Sequence, residues 1–248
     1  MSLWLWLAAP LIGLSLGLFG AGGGMLTVPL LVYGAGIPIK QAIATSVWIV
    51  ASVSLVAAFQ QRAWRVIKPN LLAFFSIGGL VGSVAGTWLG TWIPANLQQA
   101  MFAILILVVS FWTWRVRPQE SAPPASTCRC TTALLTGGGL GMLTGLLGVG
   151  GGFLMVPALI ALGISHFPTA VAHSLLLITV NAATSGITYM GRVPVDPYVL
   201  IVVGSLAAVG SIIGSHLLKR LPLAPLQRGF SLGLALLGIG MLIQQMIA

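Results

Sequence analysis

The sequence predicts an all-α integral membrane protein made of two tandem repeats, and three observations carry that reading. First, 58% of the 248 residues are hydrophobic and only 5% are charged. A soluble chain of this size cannot hide so much apolar surface. Second, the apolar residues fall in runs of about 20, the length of a bilayer-spanning helix rather than of a barrel strand. Third, the chain repeats itself. Gly20-Ala21-Gly22-Gly23-Gly24, followed by Pro29, returns as Gly148-Val149-Gly150-Gly151-Gly152, followed by Pro157, at a shift of 148 − 20 = 128 positions.

The shift holds without a gap over a whole half. It pairs Gly13 with Gly141, Gly17 with Gly145, Ala42 with Ala170, Ser46 with Ser174 and Pro69 with Pro197. It also pairs Gly82-Ser83 with Gly210-Ser211, Gly86 with Gly214 and Pro94 with Pro222. Residues 1–114 therefore form the first transmembrane repeat and residues 132–248 the second. Between them, 115–131 holds Pro118, Glu120, Pro123 and Pro124 and reads as an exposed, cytosolic linker.

Each repeat divides into five apolar segments. In the first they cover 3–20, 25–36, 41–61, 70–93 and 97–114; in the second, 132–147, 153–164, 169–190, 197–218 and 225–247. The opening segment lacks a basic leader, so it is expected to stay as membrane structure rather than be cleaved. The second segment of each repeat has about 12 residues, near 18 Å of helix, too short for a hydrocarbon core of about 30 Å. Three adjacent glycines before it each cost about 1 kcal/mol relative to alanine in a helix. The first helix of each repeat is therefore expected to be glycine-broken or re-entrant.

Charge placement favours inverted five-plus-five repeats. With ten segments counted as crossings, Arg62, Arg65, Lys68, Arg115, Arg117, Arg129, Lys219, Arg220 and Arg228 share one side. Lys40 and Arg192 face the other, a bias that makes the first side cytoplasmic. The halves also exchange basic and neutral loops, as expected of equivalent units inserted upside down relative to each other. The alternative is eight crossings, four plus four, with each glycine-linked pair forming one broken helix. The formal charge of +9 does not indicate nucleic acid, because the basic residues sit between apolar runs.

The chemistry that is missing narrows the function. Glu120 and Asp196 are the only acidic residues and both lie in connections, so paired carboxylates for acid–base catalysis are absent. No lysine follows either glycine run as a nucleotide-binding loop requires. Ser165-His166 is a poor match to a nucleophile with its base. Cys128 and Cys130 supply too few ligands for zinc. We expect no catalytic residue, no metal and no cofactor.

What remains suits an anion held by neutral groups. A helix starting after a glycine turn directs free N–H groups and partial positive charge toward the break. The candidate substrate-binding residues are therefore Gly22, Gly23 and Gly24, with Gly150, Gly151 and Gly152 in the second copy. Were the repeats inverted, one anion could be held by both helix starts near the membrane centre. The alternative role for glycines, close helix packing, fits Gly78, Gly79, Gly82 and Gly86. A second matched pair adds Thr45-Ser46 and His173-Ser174, with Asn181 further along. Hydroxyls of this kind donate to oxyanions but are also satisfied by their own helix. His173 joins the site, carries a coupling proton, or is a packed neutral histidine.

A doubled Gly-x-Gly-Gly-Gly-x(4)-Pro followed by a small-Thr/His-Ser step resembles the sulfite exporter TauE/SafE family, over nearly the whole chain. The resemblance implies a secondary carrier in a bacterial inner membrane for sulfite, sulfonates or sulfoacetate-like organosulfonates, without ATP. Its motif falls on Gly20, Gly22, Gly23, Gly24 and Pro29, on Gly148, Gly150, Gly151, Gly152 and Pro157, and on Thr45 and Ser46. His173 departs from the threonine expected there. The expected partners are the lipid bilayer, a small anionic substrate, a proton or sodium ion for coupling, and a second copy of the chain in a homodimer. An anion channel, or a non-transport membrane enzyme or accessory subunit, is the competing reading.

Overall fold

The computed structural model describes residues 3–19, 23–65, 69–115, 130–148, 152–162, 164, 167–217 and 223–247. Among these residues the chain is helical and contains no strand. The first repeat supplies α1 (Leu3–Phe19), α2 (Gly23–Pro29, prolonged by a π-turn at Leu30–Gly34), α3 (Ile39–Gln60), α4 (Pro69–Trp92) and α5 (Ala95–Arg115). The second supplies α6 (Cys130–Leu147), α7 (Gly152–Ala161), α8 (Phe167–Tyr189), α9 (Pro197–Leu217) and α10 (Leu223–Ile247). The ten helices reproduce the ten apolar segments.

Helix ends follow local chemistry. Pro69 and Pro197 open α4 and α9, where a missing N–H costs nothing. Asp196 caps α9, its Oδ1 accepting from the backbone N–H of Tyr198 at 2.9 Å and Val199 at 3.3 Å. The helix of the first glycine motif begins at Gly23, inside the run rather than after it. Among the described residues five helices, α3, α4, α6, α8 and α9, are long and apolar enough to cross a membrane.

The two repeats interlock. α1 of the first packs on α9 of the second, and α6 of the second packs on α4 of the first. Both contacts are made by glycines. A Cβ at Gly13 would meet the Ala207 carbonyl oxygen, and one at Gly141 would meet the Gly79 carbonyl oxygen. Gly17 faces Ser211 O as Gly145 faces Ser83 O, and Gly210 faces Pro10 O as Gly82 faces Gly138 O. Every residue in one member of these pairs lies 128 positions from its counterpart. In lipid, where apolar burial does not drive helices together, such backbone-to-backbone approach supplies the packing.

α3 and α8 form the centre. Some 72% and 67% of their apolar windows are buried, against 39% for α4, α6 and α9. These two equivalent helices cross antiparallel: Ser54 Oγ lies 2.9 Å from Thr179 Oγ1, while Trp48 lies over Gly186. α5 and α10 also cross antiparallel, joined by reciprocal Ser110 and Ser231 hydroxyl-to-carbonyl bonds of 2.7 and 3.1 Å, with Leu107 against Gly238. The outward faces of α4, α5 and α9 expose Val81, Val108 and Ile201 among other large apolar residues, as a lipid-facing surface does.

Candidate functional site

The second glycine motif begins where α6 stops. Its last carbonyls have no partner within the helix, and burial makes that costly. Side chains from three other helices supply the partners. Tyr189 of α8 donates its hydroxyl to Gly145 O at 2.8 Å, and Gln98 of α5 donates Nε2–H to Leu146 O at 2.5 Å. Ser46 of α3 donates to Gly148 O at 2.9 Å, a proton it shares with Ile43 O at 2.8 Å. Gly148 has φ +67°, and a Cβ there would sit 2.7 Å from Ser46 Oγ. The left-handed backbone and the close hydroxyl both call for glycine at this point.

The end of α1 is built to the same plan. Gln61 donates Nε2–H to Gly17 O at 3.3 Å and to Ser215 Oγ at 3.2 Å. Gln61 and Gly17 are the 128-shift equivalents of Tyr189 and Gly145, and Ser215 is the equivalent of Thr87. The ends of α1 and α6 thus lie in matched polar settings contributed by both repeats.

The structure distributes the sequence candidates between these two ends. Ser46 stands at the α6 end, bonded to the glycine motif of the opposite repeat. Ser174, fully buried, donates to its own helix at Val171 O, 2.8 Å away. His173 is fully buried too, with Nδ1 2.8 Å from Thr169 O, the geometry of an N–H donor to a helix carbonyl. The α3–α8 register sets Ser46 opposite residues 187–188, so Ser46 and Ser174 lie about 20 Å apart at 1.5 Å per residue. Gly23 and Gly24 are buried at the start of α2, and Gly23 packs on Leu16 rather than on open space. Gly152 opens α7. Gly22, Gly150 and Gly151 lie outside the described residues.

Thr45 and Asn181 differ from the other candidates. Both are fully buried, and the Thr45 hydroxyl and both side-chain amide atoms of Asn181 have no hydrogen-bond partner. Sequence reasoning missed two more of this kind, Thr87 on α4 and Ser185 on α8, also fully buried with unpartnered hydroxyls. The signal was present as an i, i+4, i+8 spacing of Asn181, Ser185 and Tyr189, which puts all three on one helix face. That face meets α4 and α6, because Asn181 abuts Gly79 and Tyr189 bonds Gly145. Past Tyr189 a cleft of about 700 Å³ opens, lined by Trp48, Met190, Arg192, Val195, Pro197 and Leu200.

Comparison with known proteins gives this arrangement a family. The sulfite exporter TauE/SafE family model matches residues 5–241. A "probable membrane transporter protein" of Xylella fastidiosa is 33% identical over 181 residues, 68% of this chain and 66% of that relative. "Probable membrane transporter protein YdhB" of Bacillus subtilis is 29% identical over 241 residues, 92% of this chain and 95% of its own. No solved structure matches. The match spans both interlocked repeats and both glycine breaks, and the chain, a multi-pass helical membrane protein, belongs to the sulfite exporter TauE/SafE family.

Proposed function

We propose that the protein is a secondary carrier for small sulfur-containing anions, sulfite or organosulfonates, working by alternating access in a bacterial inner membrane. The family supports transport. The observation that carries the mechanism is the Ser46 bond to Gly148 O, which joins α3 of one repeat to the helix break of the other. A movement of one repeat against the other then remakes the surroundings of a buried, glycine-hinged helix end. The antiparallel crossings of α3 with α8 and α5 with α10 support inverted insertion of the repeats. The nine-to-two division of basic residues then puts the hinge loop in the cytoplasm. The anion path runs along the α3–α8 crossing, between the two polar helix ends. His173 is the candidate for proton coupling, with sodium as the other coupling ion.

Purified protein in liposomes tests this. Radiolabelled sulfite, taurine and sulfoacetate are offered outside vesicles preloaded with the same unlabelled anion. A carrier accumulates label transiently by counterflow; a channel lets it equilibrate without overshoot, and an accessory subunit moves nothing.

A further inference from the structure

The cleft past Tyr189 carries chemistry that neither polar helix end uses. It offers about 700 Å³ between Trp48, Met190, Arg192, Val195, Pro197 and Leu200. Among its described lining residues Arg192 is the one charged side chain, and the rest of the wall is largely apolar. A space of roughly 300–1,000 Å³ suits a ligand with an organic body. A bare oxyanion of the size of sulfite would fill a small part of it and leave the apolar walls wet.

The fold holds the cleft on three sides. Tyr189, tied to Gly145 O by its hydroxyl, accepts at its own carbonyl from the backbone N–H of Arg192 at 3.0 Å and of Val193 at 3.2 Å. Gly191 closes this turn at φ +77°, a backbone that side chains disfavour. Across the cleft, the Asp196 carbonyl accepts from Leu200 N–H at 3.0 Å, while its Oδ1 caps α9. The acid of this loop is thus engaged by α9, and among the described residues the Arg192 guanidinium has no carboxylate partner. Trp48 forms the deep end. Its indole rests on Gly186, where a Cβ would lie 2.7 Å from the ring.

Depth orders these groups. Thr179 marks both the α3–α8 crossing and the middle of α8. Gly186, under Trp48, lies about 10 Å along the helix from Thr179, and Tyr189 about 15 Å, half the thickness of a hydrocarbon core. Arg192 therefore stands near the membrane surface and Trp48 within the apolar layer. Duplication does not impose this pair. At the 128-shift positions Arg192 is matched by Trp64, set edge-on to Phe59 at 5.2 Å, and Trp48 by Leu176.

We propose that the cleft binds an amphiphilic anion, with an oxyacid head on Arg192 and an apolar body along Trp48, Val195 and Leu200. A guanidinium stays charged at every working pH and presents parallel N–H donors that match sulfonate or phosphate oxygens. Two sources offer this chemistry: a soluble organosulfonate and an anionic phospholipid. The site stands whether or not the protein is a carrier.

The test uses full-length protein in a non-ionic detergent and isothermal titration calorimetry. The probes are sodium hexanesulfonate, sodium methanesulfonate, hexyltrimethylammonium chloride and dihexanoyl phosphatidylglycerol, each below its micelle-forming concentration. Hexanesulfonate should bind at least tenfold more tightly than methanesulfonate, because only its chain reaches the apolar wall. Arg192→Gln changes an exposed loop residue and should raise the hexanesulfonate Kd at least fivefold with an unchanged melting temperature. Trp48→Leu, which installs the residue type of the other repeat, should raise it at least threefold. Ser205→Ala on the outer face of α9 should stay within twofold of the parent. Competition by the phospholipid at a lower Kd would make lipid the occupant, and hexanesulfonate binding that persists in saturating phospholipid would make it a soluble anion; either keeps the site. Equal affinity for the two sulfonates, a parent-like Kd in Arg192→Gln, or equally tight binding of the cationic amphiphile would overturn it.

Discussion

Tyr189 and Gln61 stand 128 residues apart and do the same work: each donates to a carbonyl one turn before a helix break, Gly145 O at 2.8 Å and Gly17 O at 3.3 Å. Different side chains have kept one hydrogen bond through a duplication, which marks that bond as part of the fold rather than of either repeat's local chemistry. Removing it leaves a buried carbonyl unpaired, at a cost of about 1–3 kcal/mol. Tyr189→Phe and Gln61→Leu should each lower stability in detergent by that order. The double variant should equal their sum within about 0.5 kcal/mol, because the sites share no partner. Chemical or thermal unfolding of the four proteins checks this.

Glycine contacts divide sharply by partner. Gly82→Val and Gly210→Val push a side chain into the backbone of the opposing helix, and neither α6 nor α1 can yield without losing its neighbours. Both should fail to give monodisperse protein. Gly139→Ala and Gly233→Ala meet nothing within 4 Å and should be neutral or stabilising by up to about 1 kcal/mol. Size-exclusion profiles of the four variants make the comparison.

Ser46→Ala removes the only side-chain bond described between the glycine motif of one repeat and the third helix of the other. Its own helix carbonyl at Ile43 loses little, being an acceptor within α3. We expect transport to fall at least tenfold with a stability loss of about 1–2 kcal/mol. Uptake into proteoliposomes, alongside a melting curve, separates the two effects. Transport unchanged in a destabilised protein would confine Ser46 to structure.

His173→Thr restores at the second copy the residue type of the first. The imidazole is fully buried and turned onto Thr169 O, and its replacement removes the one imidazole of α8. The pH profile of transport between about pH 5.5 and 8 should flatten. An identical profile in parent and variant would assign coupling elsewhere.

Much of the fold was legible from the chain. Two glycine runs in register 128 positions apart, prolines at matching helix starts and apolar runs of fixed length gave ten helices in two repeats, because backbone breakage and hydrophobic length are local properties. The site was legible only in part. Thr45, Ser46 and Asn181 stood out as polar residues in apolar helices, yet sequence alone drew Ser46 and Ser174 toward one shared place. The α3–α8 register sets them about 20 Å apart. Tyr189 and Gln98 were passed over because hydroxyls and amides near segment ends look like ordinary interfacial residues until a buried carbonyl is found beside them, and Thr87 and Ser185 because their burial is a tertiary property.

By itself, then, the sequence determined the class of the protein, its duplication and the points where helices must stop. Only the tertiary structure decided that each repeat's first helix packs on the other repeat's fourth. Membrane helices are apolar all round, so no hydrophobic stripe announces a neighbour; partners are chosen by which small residues let two backbones touch. That choice also decided which hydroxyls end up beside a broken helix with a partner, and which are left waiting for one.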